Sequence, residues 1–428
     1  MASIAPMFSR LFLRRNSAAF VISMLMAPAA VAQQTIVQLS VTGNARVPAA
    51  AVLAVSGLRV GQTFARKDLD GAVQKLLDTG FFATVNYRYV PKTAGGAAGY
   101  AVTVQVSEEP AHAPAVLDIP GLEEERLWQQ LKSADGLIDK QMPDNERVTA
   151  YYKQALEDLL RKSNRPEEIV VKTEVDLQTG KTVTVFRPAH LPKIAGIHFE
   201  GNRALTTPAL EAAMAKVAIG QEYTERDFHH MLESNLRPLY EELGRLTVAF
   251  PRLTMAGAGD AAVTVTAEID EGPVWRLGKV ELKGEALPAA PMREAAQFAE
   301  GAPANWKQLL ASIHNMEQVL KRDGYIAVSS KPVRSFHDSG QVVDVTVEVR
   351  KGRQFLFGEM HIDGLGPDDR QRLAGLWTLP GGAPMNELYT AEFLRSVLPS
   401  LKGKFTKVGS SLRPRPGTNV VDVTITFR

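Results

Sequence analysis

Few residues in this 428-residue chain are grouped for chemistry. His229-His230 with Glu233 is the one local cluster of metal-ligating types. Phe228, Met231 and Leu232 define the buried face of the same helix. The two histidines should therefore lie on a solvated face, and no metal is expected. Gly180-Lys181-Thr182 resembles the end of a phosphate loop, but Val175 stands where that motif needs its first glycine. It also joins two strands, so a hairpin turn is the better reading. Gly257-Ala258-Gly259 begins like a dinucleotide fingerprint, yet it falls in a β-hairpin rather than before a helix. Glu123-Glu124-Glu125 reads as a solvated charge cluster at a helix N-terminus. Glu108-Glu109 and Asp270-Glu271 have the composition of a glycosidase carboxylate pair, but each pair ends a strand and marks a joint. The chain has no cysteine, which excludes disulfides, thiolate metal sites and a Cys nucleophile. No catalytic residue, cofactor or small-molecule substrate is expected.

Composition points the same way. Hydrophobic residues make up 45% and charged residues 22%, which suits a globular chain and excludes a largely disordered one. The net charge is +2, but Arg10, Arg14 and Arg15 sit in a segment, residues 1–32, that reads as an export signal. Without it the chain is near neutral, a poor balance for a nucleic-acid binder. In that segment the arginines precede an apolar run over 18–26, and Ala30-Val31-Ala32 supplies a small-residue cleavage site. Ala30, Ala32 and Gln33 therefore mark the expected cut. The run stops at Pro28, too early for a comfortable membrane span.

The elements that must carry any function repeat. An apolar strand followed by glycine recurs at Gly43, Gly121, Gly201, Gly284 and Gly364, with spacings of 78, 80, 83 and 80 residues. A second glycine follows at Gly61, Gly136, Gly220, Gly301 and Gly381. The stretch between them is short and helix-like, as in 207–217. A longer amphipathic helix comes next. Trp306, Leu309, Leu310, Ile313, Met316, Val319 and Leu320 share one face, with Asn305 as N-cap. Thr224 and Asp227 resemble a capping box in the third repeat. Pro238 and Pro399 should kink their helices. Gly80, Gly244, Gly324 and Gly403 end the long helices, and Ser163-Asn164-Arg165 replaces that glycine in the second, degenerate repeat. Two strands follow. The last alternates strictly, as in Val263, Val265, Ala267 and Ile269, so one face is buried. Each repeat reads strand–helix–helix–strand–strand.

That order, with Val41-Thr42-Gly43-Asn44, 76–85 (Leu76 to Val85) and 104–110, resembles the POTRA domain. The third repeat renews the match at 199–203 and 268–273, and the fourth at 320–325 and 347–352. The resemblance implies an α+β fold of five tandem units, each a three-stranded mixed sheet with two helices on one face, in an elongated array. The expected boundaries are 34–110, 111–191 (degenerate), 193–273, 274–352 and 353–428, behind the 1–32 signal. Short proline-containing joints favour a semi-rigid rod.

POTRA domains form the periplasmic arm of outer-membrane assembly factors and two-partner-secretion transporters, where a β-barrel follows. This sequence stops at the last strand of the fifth unit. The resemblance implies a periplasmic, non-enzymatic scaffold that binds outer-membrane β-barrel proteins or their unfolded precursors, with peripheral membrane association. The alternatives are an inner-membrane-anchored interaction protein and a truncated barrel protein. Binding would use β-augmentation at the second strand of each sheet. The implied edges are 83–89, 169–174, 247–253, 326–333 and 406–412. Candidate contacts are Val85, Tyr87, Tyr89, Val170, Val171, Val248, Phe250, Ala327, Val328, Lys407 and Val408. Tyr87 and Tyr89 either meet a client or pack their own sheet.

Overall fold

The computed structural model describes residues 34–428 except 177–178, 258–260, 402 and 404. The export signal and Ala30, Ala32 and Gln33 lie outside the described residues. The chain packs as two compact units. One holds the described residues up to Ala113 together with Lys132–Tyr152, the other Pro114–Leu131 together with Lys153–Arg428. Among the described residues no helix is long and apolar enough to cross a membrane.

The first repeat runs β1 (Gln34–Thr42), α1 (Ala49–Ser56), β2 (Thr63–Phe64), α2 (Arg66–Asp78), β3 (Phe82–Ala94) and β4 (Ala97–Glu108). Its sheet order is β2-β1-β4-β3, with β4 central, parallel to β1 and antiparallel to β3. The alternation of β4 has the expected cause: Val102, Val104 and Val106 are buried, as are Leu69, Ala72 and Leu76 on α2. Gly80 ends α2 in the left-handed region (φ +78°), and the Asn145 amide donates to its carbonyl at 3.1 Å.

The second repeat contains β5 (Ala111–Leu117), α3 (Glu124–Ala134), β6 (Gln141–Pro143), α4 (Glu146–Lys162), β7 (Ile169–Val175) and β8 (Thr182–Pro188), in sheet order β6-β5-β8-β7. Asn164 stands at φ +60° where the other repeats place glycine, because its short polar side chain tolerates the left-handed region. Gly180 lies in the β7–β8 hairpin, as its sequence suggests.

The third repeat comprises β9 (Lys193–Glu200), α5 (Thr207–Ala218), α6 (Glu225–Asn235), α7 (Arg237–Glu242), β10 (Ala249–Gly257) and β11 (Ala262–Asp270). Here Pro238 does more than kink: the long helix breaks at Leu236 into α6 and α7. Proline lacks an N–H and its ring clashes with the preceding turn. The fourth repeat has β12 (Arg276–Lys283), α8 (Ala289–Ala296), α9 (Trp306–Arg322), β13 (Ser329–His337) and β14 (Val342–Arg350). The fifth has β15 (Leu356–Asp363), α10 (Pro367–Leu376), α11 (Glu387–Val397), β16 (Val408–Pro414) and β17 (Val420–Phe427). Pro399 falls in a 3₁₀ turn that closes α11. Asn305 caps α9, accepting from the Gln308 amide at 2.8 Å.

One expectation needs correction. The sheets of repeats 1 and 2 are four-stranded, because β2 and β6 add to the first strand's outer side. In the other repeats the same place holds only single bridges, Lys193 to Glu222, Arg276 to Pro303 and Leu356 to Pro384. Pro303 and Pro384 have no N–H with which to extend a ladder. In the fifth repeat, Gly382 rather than Gly381 takes the positive φ.

The glycine after each first strand has a close-packing cause. A Cβ on Gly43, Gly201, Gly284 or Gly364 would collide with a carbonyl of its own last strand: Val106, Ile269, Val349 or Phe427. Gly121 differs, since the atom its Cβ would meet is Met255 Cε in β10.

Candidate partner-binding strand edges

The last strand of each repeat is central in its sheet, so the second strand has one paired side and one outer side. Antiparallel pairing alternates the backbone: one residue bonds its neighbour and the next turns its N–H and C=O outward. The bonds flanking each strand set the phase. For β7, Asp176 N–H donates to Lys181 O at 2.8 Å and Ala189 N–H to Glu168 O at 2.8 Å. The register between them is unbroken, so Ile169, Val171, Thr173 and Val175 turn outward. The Ile169 N–H is taken by the Glu157 carboxylate at 3.0 Å. For β16, Lys407 and Arg428 exchange both bonds at 2.9 Å, which turns Val408, Ser410, Leu412 and Pro414 outward. In β3 the two-residue turn Gly95-Gly96, both at positive φ, closes on Ala94 and Ala97 and turns Val85, Tyr87, Tyr89 and Pro91 outward.

Val85, Tyr87 and Tyr89 thus stand on the outer backbone lane, but their side chains serve their own repeat. Val85 is buried. The Tyr87 hydroxyl donates to Asp70 Oδ1 on α2 at 2.7 Å, and that bond raises the phenol's pKa. Tyr87 stacks on Tyr89, and Tyr89 meets Phe64 and Tyr100 edge-on at 5.7 and 5.6 Å. Tyr89 remains 37% exposed, so the cluster has one open flank. Val170 and Val171 are half-buried in β7, with Val170 bonding inward.

Of the other predicted positions, all but Phe250 fall short of their strands. Val248 precedes β10 and is core, 1% exposed. Phe250 is buried with the His229 ring against it, 6.2 Å between centroids. Ala327 and Val328 precede β13, and the Val328 N–H closes a turn on Tyr325 O at 3.1 Å. Lys407 lies one residue before β16, whose first residue is Val408. In repeats 3 and 4 the turn after the helix-ending glycine packs Val248, and in part Val328, against the core before the strand begins. An apolar run read from sequence therefore starts early.

The remaining motifs are structural. Glu108 accepts from the amides of Ala45 and Val47 at 2.7 and 2.9 Å, and Glu271 from Arg203 and Ala204 at 2.7 and 2.8 Å. Burial alone would raise the Glu271 carboxyl; these amides and Arg245 outweigh it and lower it. Each carboxylate ties the loop after the first strand. His229 and His230 are half-buried rather than solvated, and Glu233 is paired with Arg237. Among the described residues no group of His, Asp and Glu is placed to hold a metal ion.

Sequence reasoning missed a polar joint between repeats 2 and 3. Buried Arg187 lies 3.5 Å from both Glu174 and Asp227, and Arg226 pairs with Asp176 at 3.0 Å. Asp118, 6% exposed, has its carboxyl pushed up to about 6 by burial, against the pull of Thr224. A cavity of about 440 Å³ opens beside it, lined by Ile119, Leu122, Glu123, Glu225 and His229 among others. The available signal was the degenerate Ile119-Pro120-Gly121.

A family model and a curated relative match parts of the chain. Residues 34–109 match the family model described as POTRA, surface antigen variable number repeat. A curated relative, the outer membrane protein assembly factor BamA of Neorickettsia risticii (strain Illinois), is 22% identical over 342 residues, 77% of this chain. The match takes in 44% of that relative, so the chain spans less than half its length. Among solved structures the chain is similar to POTRA domains 3–5 of Haemophilus influenzae BamA: 18% identity, TM-score 0.42, 56% of this chain and 97% of that one. It is also similar to POTRA1–3 of the periplasmic domain of Omp85 from Anabaena: 17% identity, TM-score 0.25, 55% of this chain and 95% of that one. The chain resembles a POTRA array.

Proposed function

We propose that this POTRA-like array is a non-enzymatic periplasmic scaffold that holds outer-membrane β-barrel proteins, or their unfolded precursors, during assembly or secretion. It would work at the periplasmic face of the outer membrane. The observation that carries the reading is the repeated sheet edge: five second strands, each hydrogen-bonded on one side to a central strand. An extended segment adds to such an edge by main-chain bonds, so recognition tolerates many sequences. A factor serving many precursors needs that tolerance. The curated relative's description, an outer membrane protein assembly factor, supports the same assignment.

The test is cross-linking of the tagged full chain in intact cells, followed by identification of what co-purifies. Recovery of outer-membrane β-barrel proteins is expected. Recovery of soluble or inner-membrane proteins alone would overturn the reading.

A further inference from the structure

The five edges are not equivalent. In β10 the register slips between Ala249 and Arg252, so Phe250 and Pro251 stand opposite the single residue Ile269. A bulge and a proline together twist an edge and remove a donor. Met255, further along the same strand, lies against Gly121. In β13 the register is unbroken, but Pro332 sits at its centre, opposite Val347. A strand accommodates proline where its nitrogen turns outward. The outer lane of β13 therefore lacks a donor at its middle, and the ring fills the space an incoming carbonyl would take.

The other three edges keep an unbroken outward series; β3 has one slip, between Phe82 and Thr84, before its series begins. β3 turns out the N–H groups of Val85, Tyr87 and Tyr89 before Pro91 ends the series. β16 turns out those of Val408, Ser410 and Leu412 before Pro414. β7 turns out those of Val171, Thr173 and Val175, and holds neither proline nor bulge.

Resting on the edge-binding reading above, we propose that repeats 1, 2 and 5 are the strand-accepting repeats and that repeats 3 and 4 are closed, repeat 3 by the bulge at Pro251 together with the seat of Met255 against Gly121 on the unbroken stretch that follows, and repeat 4 by Pro332. The occupant is an extended partner segment of about six residues with alternating apolar side chains. Three outward donors interleaved with carbonyls match such a length. Every second side chain of the occupant then meets apolar surface, such as Tyr89 beside β3 or Val175, 59% exposed, at the end of β7. Precursors of membrane barrels have that alternation.

Amide hydrogen exchange on the full chain, with and without a saturating synthetic peptide of alternating valine and threonine, reads each edge separately. Slower exchange is expected at 85–89, 171–175 and 408–412, and unchanged exchange at 249–257 and 329–337. Thr173→Pro removes an outward donor without touching the β7–β8 ladder, and should lose protection at 171–175 alone. Pro332→Val supplies the missing donor, and should gain protection at 330–336. Protection at 249–257 or 329–337 in the unaltered chain, or no gain in Pro332→Val, overturns the closure of repeats 3 and 4 and leaves edge binding standing. Protection at none of the five edges removes both.

Discussion

Repeats 2 and 3 follow one plan with different punctuation. Repeat 3 has a glycine after its first strand that fits only against its own last-strand carbonyl, a long helix split at Leu236, and an edge strand marked by a bulge and Pro251. Repeat 2 has a glycine that faces Met255 of its neighbour, an unbroken helix α4 ended by Asn164, and an edge strand with neither bulge nor proline. A degenerate motif is thus not a failed one. Repeat 2 uses its glycine position to seat the next repeat, and its edge strand pairs without bulge or proline.

Substitutions can break that comparison, beginning with the glycines. Gly201→Ala must hold a methyl group at φ +86° against the Ile269 carbonyl. We expect a loss of about 3 kcal/mol in denaturant-unfolding stability, from left-handed strain plus displaced backbone. Gly121→Ala, at φ +76°, meets the flexible end of Met255, and about 1 kcal/mol is expected. Equal losses would mean that the two glycines play one role.

The joint comes next. Arg187→Ala leaves Glu174 and Asp227 without the buried cation between them. A loss of about 2 kcal/mol is expected, below the range for fully buried pairs because both carboxylates are partly exposed. Circular dichroism during chemical unfolding measures it.

Asp118 sharpens the contrast by pH. Burial raises its carboxyl from the ordinary 3.8 to about 6, so the folded state holds its proton more tightly than the unfolded chain does. Its contribution to stability is therefore full below the ordinary value, falls as pH rises between 3.8 and about 6, and is lost above. Asp118→Asn should flatten that part of the pH–stability curve and stabilise the chain at pH 7.5 by about 1–3 kcal/mol. A curve unchanged by the substitution would remove Asp118 from the joint. The smallest effect is expected at Thr224, whose hydroxyl accepts from the Asp227 amide at 3.0 Å and caps α6. Thr224→Ala should cost about 1 kcal/mol in thermal unfolding, with repeat 3 loosening before repeat 4 in hydrogen exchange.

Much of the fold was legible before any coordinates. The glycine spacing marked the repeats, the period of Trp306 through Leu320 placed α9, and the alternation of Val263 through Ile269 placed β11. These are local signals: a left-handed turn, a helical stripe and a half-buried strand each demand particular residues at particular offsets. The edges were legible only in outline. Val248, Ala327 and Val328 look like strand residues because they are apolar, yet they belong to the turn before the strand.

The sequence by itself determined the repeat and its order of elements, because those rest on residue type and near-neighbour spacing. Only the tertiary structure decided which backbone groups face outward, that Pro251 falls in a bulge and Pro332 on an outer lane, and that Gly121, Asp118 and Arg187 meet repeat 3. Those facts depend on pairing register and on contacts between residues far apart in the chain, and a one-residue shift in register reverses them.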